Sequence, residues 1–344
     1  MLDVEELFGF RPRSVIVFAV GGGGDAASGY LNAFWLRRRG VDAVLAAIAW
    51  ERFIVDPCPG PLSLDEFASP AVRLEWLVEA RGGCYAVRAC SSRVIVPQVC
   101  RLARITGESV YVVDVVAGSR GVARSLEELA SLTGAEAILA VDVGGDVLAQ
   151  GFEDSLWSPL ADSLGLAGSV ESGLPVTVAV QSPGSDGELG LDAITERVGD
   201  VAVAGGLRGA RMVSLEEVGL LEELVREGFV TEAGLAQVLA RRGLRGELRI
   251  RGGTRRVALS FIQALVLYLD GSVLYEQSPL ARRVSGTWSV WEARDRLLES
   301  CVATELDLEE NLWDMMVRGE APDPLEARRR ARRVARSYCV ERRT

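Results

Sequence analysis

Short continuous apolar runs alternate with amphipathic stretches through the first two-thirds of the chain. The runs at 14–20, 41–49, 111–116, 135–141, 176–180 and 201–204 read as strands. Residues 26–39 and 122–132 carry helical spacing, Gly40 stops the first of these helices, and Pro97 can open a short one before Tyr111. Strands apolar on both faces, with helices between them, predict a mainly parallel sheet covered on both sides. The expected fold class is α/β: a doubly wound, Rossmann-like ligand-binding domain over residues 1–205. The pattern then changes. Helices are expected at 214–226 and 231–241, capped by Ser214 and Thr231, and strands at 247–251 and 264–270. Helices at 289–300 and 308–318 and a final arginine-rich helix complete a smaller C-terminal α+β or helical region, 206–344. That region is either a second domain or an elaboration of the first.

In an open α/β sheet, ligands bind where the strands end at their carboxyl side. The first strand is followed by Gly21, Gly22, Gly23, Gly24 and Asp25, and a helix follows at once. Strand, glycine loop and helix form the arrangement that binds phosphate, through close backbone N–H groups and the positive end of the helix. The second strand is followed by Glu51 and Arg52, the third by Asp114, Gly118, Ser119 and Arg120. The fourth is followed by Asp142, Gly144, Gly145 and Asp146, the fifth by Asp186 and Glu188. Glycine and acid recur at one edge of the sheet. The stretches GGDAASGYLNAFW and GGDVLAQGFEDSLW suggest an internal repeat.

Two ligand chemistries fit these loops. In the first, Gly22-x-Gly24-x-x-Ala27 matches the dinucleotide pattern, and Glu51 stands where a ribose-binding acid belongs. In the second, a metal-bound phosphate or nucleotide sits there. Asp25, Asp142 and Asp146 would hold Mg²⁺, with the four glycines, Gly144 and Gly145 around the phosphate. Arg52 and Arg120 would grip phosphate oxygens. Asp186 or Glu188 would take a hydroxylated group such as ribose, and Asp25, Asp146 and Asp186 are the candidate catalytic acids and bases. Asp25 favours the second chemistry, because a carboxylate inside the loop repels pyrophosphate unless a cation lies between them. The expected function is a Mg-dependent phosphotransferase or phosphohydrolase acting on a small phosphorylated molecule or nucleotide. The alternatives are a dinucleotide-dependent oxidoreductase and a non-catalytic nucleotide sensor.

Composition narrows the chemistry further. The 344 residues contain no histidine, and all 38 basic residues are arginine. Histidine triads, histidine metal ligands, Schiff-base lysines and a P-loop lysine are thereby excluded. Arginine in place of lysine fits genomic bias or a thermophile. The net charge of −10 argues against nucleic acid as a partner. Residues 323–344 hold eight arginines against three acids, a local +5 expected to dock on the acidic body. The N-terminus is acidic where a signal peptide would be basic. The longest apolar stretch, 257–269, is broken by Ser260 and Gln263. A cytoplasmic protein with no membrane partner is expected. Nothing in the sequence excludes a homo-oligomer. The six cysteines show no Cys-x-x-Cys pair, so free buried thiols are the default, with one disulfide among Cys84, Cys90 and Cys100 as the alternative.

The stretches VGGGGD, IAWERFIVDPCPGPLSLDEF, VDVGGD with SLWSPLAD, SPGSDGEL and TELDLEENLW together resemble an archaeal family of uncharacterised proteins, domain of unknown function 1152. The resemblance runs from residue 20 to residue 313. It implies one family-length unit in an archaeal cytosolic protein, with residues 304–313 belonging to the same site as the glycine loops. It carries no activity.

Overall fold

The computed structural model describes residues 2–341; Met1 and residues 342–344, the end of the arginine-rich tail, lie outside the described residues. Nine strands form one sheet among the described residues. They are β1 (Ser14–Ala19), β2 (Asp42–Ile48), β3 (Val72–Arg73), β4 (Leu77–Ala80), β5 (Val110–Val113), β6 (Ala137–Val143), β7 (Val176–Gln181), β8 (Leu207–Met212) and β9 (Leu265–Asp270). Across the sheet they run β8-β9-β7-β6-β1-β2-β5-β4-β3. The five central strands, β7-β6-β1-β2-β5, are parallel. Antiparallel pairings add β9 and then β8 at one side, and β4 and then β3 at the other.

Side chains alternate along a strand, so one strand feeds two cores. Val15, Val17 and Ala19 of β1 enter one cluster, and Ile16, Phe18 and Val20 enter the other. Helices Asp25–Arg37 and Gln98–Thr106 cover the first face. Helices Gly118–Thr133 and Pro159–Glu171 cover the second. This double burial is why the central strands read as unbroken apolar runs. The expected α/β class with a large, centrally parallel sheet is present. Two of the strands after residue 206, β8 and β9, hydrogen-bond into this same sheet, while Gly246–Ile250 and Arg255–Leu259 form a separate hairpin, so the N- and C-terminal regions share one framework.

Residues 201–204 are not a strand. They end the helix Leu191–Val203, with Ile194 and Val201 buried seven residues apart on one face and Val203 92% exposed. Two helical turns separate those positions, and the strand begins later, at Leu207. Ser214 caps helix Leu215–Arg226 through a reciprocal bond with Glu217, and Thr231 caps Glu232–Arg241 by accepting from Gly234.

The free-thiol reading is also corrected: Cys58–Cys90, Cys84–Cys100 and Cys301–Cys339 are disulfides, with Cα separations of 6.1, 5.5 and 5.8 Å. The first two staple the excursion between β2 and β5, which carries a small sheet of Phe67–Ala68, Tyr85–Val87 and Val94–Ile95. The third ties the final helix, Pro324–Glu341, to the body. Among the described residues, no helix is long and apolar enough to cross a membrane.

Candidate functional site: a carboxylate-lined cavity

Strand register decides where the loops emerge. Ala19 of β1 lies level with Ala47 of β2 and Val141 of β6, and Val20 donates to the Val141 carbonyl at 3.0 Å. The loops after these strands therefore leave from one edge. There they line a cavity of about 480 Å³. Gly21 to Gly24, Asp25, Glu51 and Arg52 come from the first two loops, and Asp146, Asp186 and Glu188 from those after β6 and β7. A groove of similar volume, about 490 Å³, lies beside Trp35 and Arg211. None of the predicted site residues reaches it, and Arg211 is already paired with Glu217 at 2.8 Å.

The first glycine loop is partly occupied by the protein itself. The Gly21 N–H donates to Asp25 Oδ2 at 3.1 Å, Gly23 N–H to the Trp50 carbonyl at 3.1 Å, and Asp25 N–H to the Gly22 carbonyl at 3.0 Å. The amides of Gly22 and Gly24 have no protein partner among the described residues. Close approach, not a left-handed backbone, calls for glycine at two of these positions. A Cβ on Gly21 would lie 2.2 Å from Asp25 Oδ2, and one on Gly23 2.8 Å from Glu51 Oε1. The second loop differs. Gly144 and Gly145 have φ of +120° and +116°. Both lie off the cavity wall, and a Cβ on Gly144 would strike the Asp186 carboxyl. Asp25 opens a 13-residue helix, whereas Asp146 opens only the short turn Asp146–Leu148. The two Gly-Gly-Asp stretches are thus not a structural repeat.

Asp25, Asp142 and Asp162 offer carboxylate oxygens within 4.8 Å of one another. Asp142 ends β6 behind the cavity wall, and Asp162 projects from the first turn of Pro159–Glu171. Burial, then the neighbouring charges of Asp142 and Asp186, raises Asp25 well above the usual carboxylate range. Burial, then Asp142 and Asp25, does the same to Asp162. Burial followed by Asp186 pushes Asp142 up to about 8. Asp142 and Asp162 are 1% and 3% exposed, and the Oδ1 atom of each lacks any hydrogen-bond partner. Buried polar atoms are nearly always paired, and these two acceptors, like Asp186 Oδ2 in the neighbouring group, are left open.

Asp146, Asp186 and Glu188 form a second group within 4.8 Å. Glu188 accepts from Trp157 N–H at 2.6 Å, Ser158 N–H at 2.8 Å, the Ser158 hydroxyl and Arg255 at 2.7 Å. Burial acts to raise its pKa, but Arg255 and these hydrogen bonds outweigh it and hold it below the ordinary value. Asp146, buried beside Glu188 and Asp186, is raised well above the usual range. Asp186 is raised too, by burial and then Glu188.

Further acids line the cavity, Glu51, Glu232, Glu305 and Glu309. Glu51 accepts from Gln98 N–H at 2.7 Å and is raised by burial to about 7. Glu305 and Glu309 stand one helical turn apart on Glu305–Val317. Glu305 accepts from Leu160 and Ala161 N–H at 3.0 and 2.7 Å, which fixes the start of the helix bearing Asp162. Glu309 accepts from the Trp50 indole and from Gly60 N–H at 2.8 Å. Burial raises them to about 7 and about 8.

Arginine placement departs from expectation. Arg52 faces the cavity but is held by Glu232 at 2.5 Å. Arg120 lies elsewhere, half-exposed against Glu171 at 3.5 Å, because its loop packs on the backbone of Thr287. Asp114 stays with it and caps Ala117 N–H. The cavity's other arginines, Arg251 and Arg255, flank the turn of the hairpin Gly246–Ile250 and Arg255–Leu259. The final helix docks beside the site. Arg328 stacks over Trp157 at 4.4 Å and donates to the Leu156 carbonyl at 3.0 Å, and Arg332 donates to the Asp154 carbonyl at 2.6 Å.

Strand-end reading did not reach Asp162, Arg251, Arg255, Glu305 or Glu309. The stretches SLWSPLAD and TELDLEENLW contain three of them. A family model described as "Protein of unknown function (DUF1152)" matches residues 16–313. No curated protein matches the chain, and no solved structure matches it. With the match spanning most of its length, the chain belongs to the DUF1152 family.

Proposed function

We propose that the cavity binds a divalent cation, Mg²⁺, together with a phosphate-bearing small molecule or nucleotide, and that the protein is a metal-assisted phosphotransferase or phosphohydrolase. The observation that carries this reading is the group Asp25, Asp142 and Asp162, the last two buried, with two orphaned Oδ1 atoms and no ion pair to arginine among the described residues. Mg²⁺ takes a few carboxylates, phosphate oxygens and water, and requires no histidine. When bound, the cation supplies charge neutralisation at the transferring phosphoryl group. Asp25, Asp142 and Asp162 would hold it. Asp25 then sits beside the glycine loop without repelling phosphate.

The strand order supports a nucleotide. In chain order the parallel strands lie third, second, first, fourth, fifth, the Rossmann-like arrangement, and the cavity opens where that order reverses. Asp146 and Asp186, both raised above the ordinary value, are suited to hold and move a proton. The dinucleotide reading draws on Glu51, which follows β2 on the cavity wall. Against it, Asp25 occupies the Gly21 amide that a pyrophosphate would take.

A thermal-shift series with ATP, ADP and NAD, each with and without Mg²⁺, tests the proposal. Stabilisation by nucleotide that requires Mg²⁺, accompanied by phosphate release or transfer, is expected. Stabilisation by NAD alone would overturn it.

A further inference from the structure

Three guanidinium groups face the cavity from two directions. Arg52 comes from the loop after β2, and Arg251 and Arg255 come from the hairpin. Glu232, first residue of its helix, bridges the two sides. Its Oε2 meets Arg52 at 2.5 Å and Arg251 Nε at 3.6 Å, and its Oε1 accepts from Arg251 N–H at 3.1 Å. Arg251 has φ of +56°, a conformation uncommon for a residue with a side chain, and the turn that imposes it keeps Arg251 at the cavity. Arg255 is pinned by Glu188 and stacks over Trp157 at 4.9 Å, yet its Nε is buried without a partner. Burial, then Arg255 and Arg52, lowers Arg251 to about 10, a sign of cations crowded together.

We propose that Arg52, Arg251 and Arg255 are the grip for a di- or triphosphate chain, and that Glu232 is a built-in surrogate for that anion, holding Arg52 and Arg251 until the ligand displaces it. The ligand class rests on the phosphate reading above. A guanidinium fork accepts carboxylate and phosphate oxygens in the same geometry, so one anion can replace the other. The pairs with Glu232 are about a third exposed, with side-chain exposures of 35%, 31% and 32%, so water competes for them and release is easy. A single phosphate matches what Glu232 already offers. A second or third phosphate is needed to engage Arg255 as well, which Glu232 does not hold.

The test is calorimetric titration of inorganic pyrophosphate into the full chain, wild type, Glu232→Gln and Arg251→Gln, each with Mg²⁺ and with chelator. Melting curves verify that each variant is folded. Glu232→Gln should bind roughly tenfold tighter, the factor expected if the latch is open about a tenth of the time. Arg251→Gln should bind roughly tenfold weaker or worse. Unchanged or weaker binding in Glu232→Gln, or no pyrophosphate binding by any of the proteins, overturns the inference. The metal arm separates it from the reading on which it rests. Tightening in Glu232→Gln that ignores Mg²⁺ upholds the latch and sinks the metal. Mg²⁺ binding without pyrophosphate binding does the reverse.

Discussion

Asp146, Asp186 and Glu188 gather three acids within reach of Arg255, whereas Asp25, Asp142 and Asp162 gather three with no ion pair among the described residues. In the first group, Arg255, the Ser158 hydroxyl and two backbone N–H groups satisfy Glu188, while Asp146 and Asp186 are raised and Asp186 Oδ2 is left without a partner. In the second, all three pKa values rise and two oxygens stay orphaned. A buried carboxylate must be paired, protonated or metal-bound. Acid clusters of equal size at the same sheet edge therefore differ in kind. One has a counter-charge in Arg255, and the other has no ion pair among the described residues.

The largest expected effect comes from breaking the completed group. Arg255→Met leaves Glu188, 1% exposed, without its counter-charge. Denaturant titration should show a loss of about 3–5 kcal/mol. A loss near zero would mean that the two groups do not differ as argued.

The next effect is opposite in sign. Asp142→Asn or Asp162→Asn removes a carboxyl that the fold holds against desolvation, so the metal-free protein should melt a few degrees higher at pH 8. The sign follows from linkage. The folded pKa of Asp142, about 8, lies above its ordinary value, so its stabilising share is complete below about pH 4 and is lost as pH rises through about 8. Glu309, about 8, and Glu51 and Glu305, about 7, act in the same direction. Melting of the wild type without metal should accordingly fall from pH 5 to pH 8.5, and less steeply in Asp142→Asn. Saturating Mg²⁺ should stabilise the wild type, by about 2.7 kcal/mol at a hundredfold excess over Kd, and leave both variants unmoved. A metal-free stability that rises with pH would refute the uncompensated group.

The smallest effect separates the glycines beside Asp25. A Cβ on Gly24 meets only Thr231 Oγ1, at 3.8 Å, so Gly24→Ala should change stability by less than about 0.5 kcal/mol. Gly23→Ala should cost more, because its Cβ lies 2.8 Å from Glu51 Oε1 and 2.9 Å from the Gln98 side chain. Equal costs in chemical denaturation would remove the packing explanation.

What was legible in the sequence follows from how far each signal reaches along the chain. The five parallel strands were readable because burial on both faces leaves an apolar run that needs no partner to be recognised. Asp25, Glu51, Asp142, Asp146, Asp186 and Glu188 were legible because each stands at or just after the carboxyl end of one of four strands, β1, β2, β6 and β7. Residues 201–204 misled because four small apolar residues fit a helix end as well as a strand. Asp162 was hidden in an apolar helix, with nothing local to say that its face meets Asp25. Glu305, Glu309, Arg251 and Arg255 arrive from distant segments, and only the tertiary fold brings them in. Cysteine spacing could not pair Cys58 with Cys90, because the hairpins between them set that distance.

Direct titration of Mg²⁺ into the ligand-free protein at pH 7.5, wild type beside Asp162→Asn, tests the central claim. Run in buffers of different ionisation enthalpy, it also counts protons. The account predicts saturable binding to the wild type with release of about one proton or more, because a metal ligand must be deprotonated. It predicts no binding to a folded Asp162→Asn. Wild type that takes up no Mg²⁺, or an Asp162→Asn variant that binds it equally well, would contradict the account.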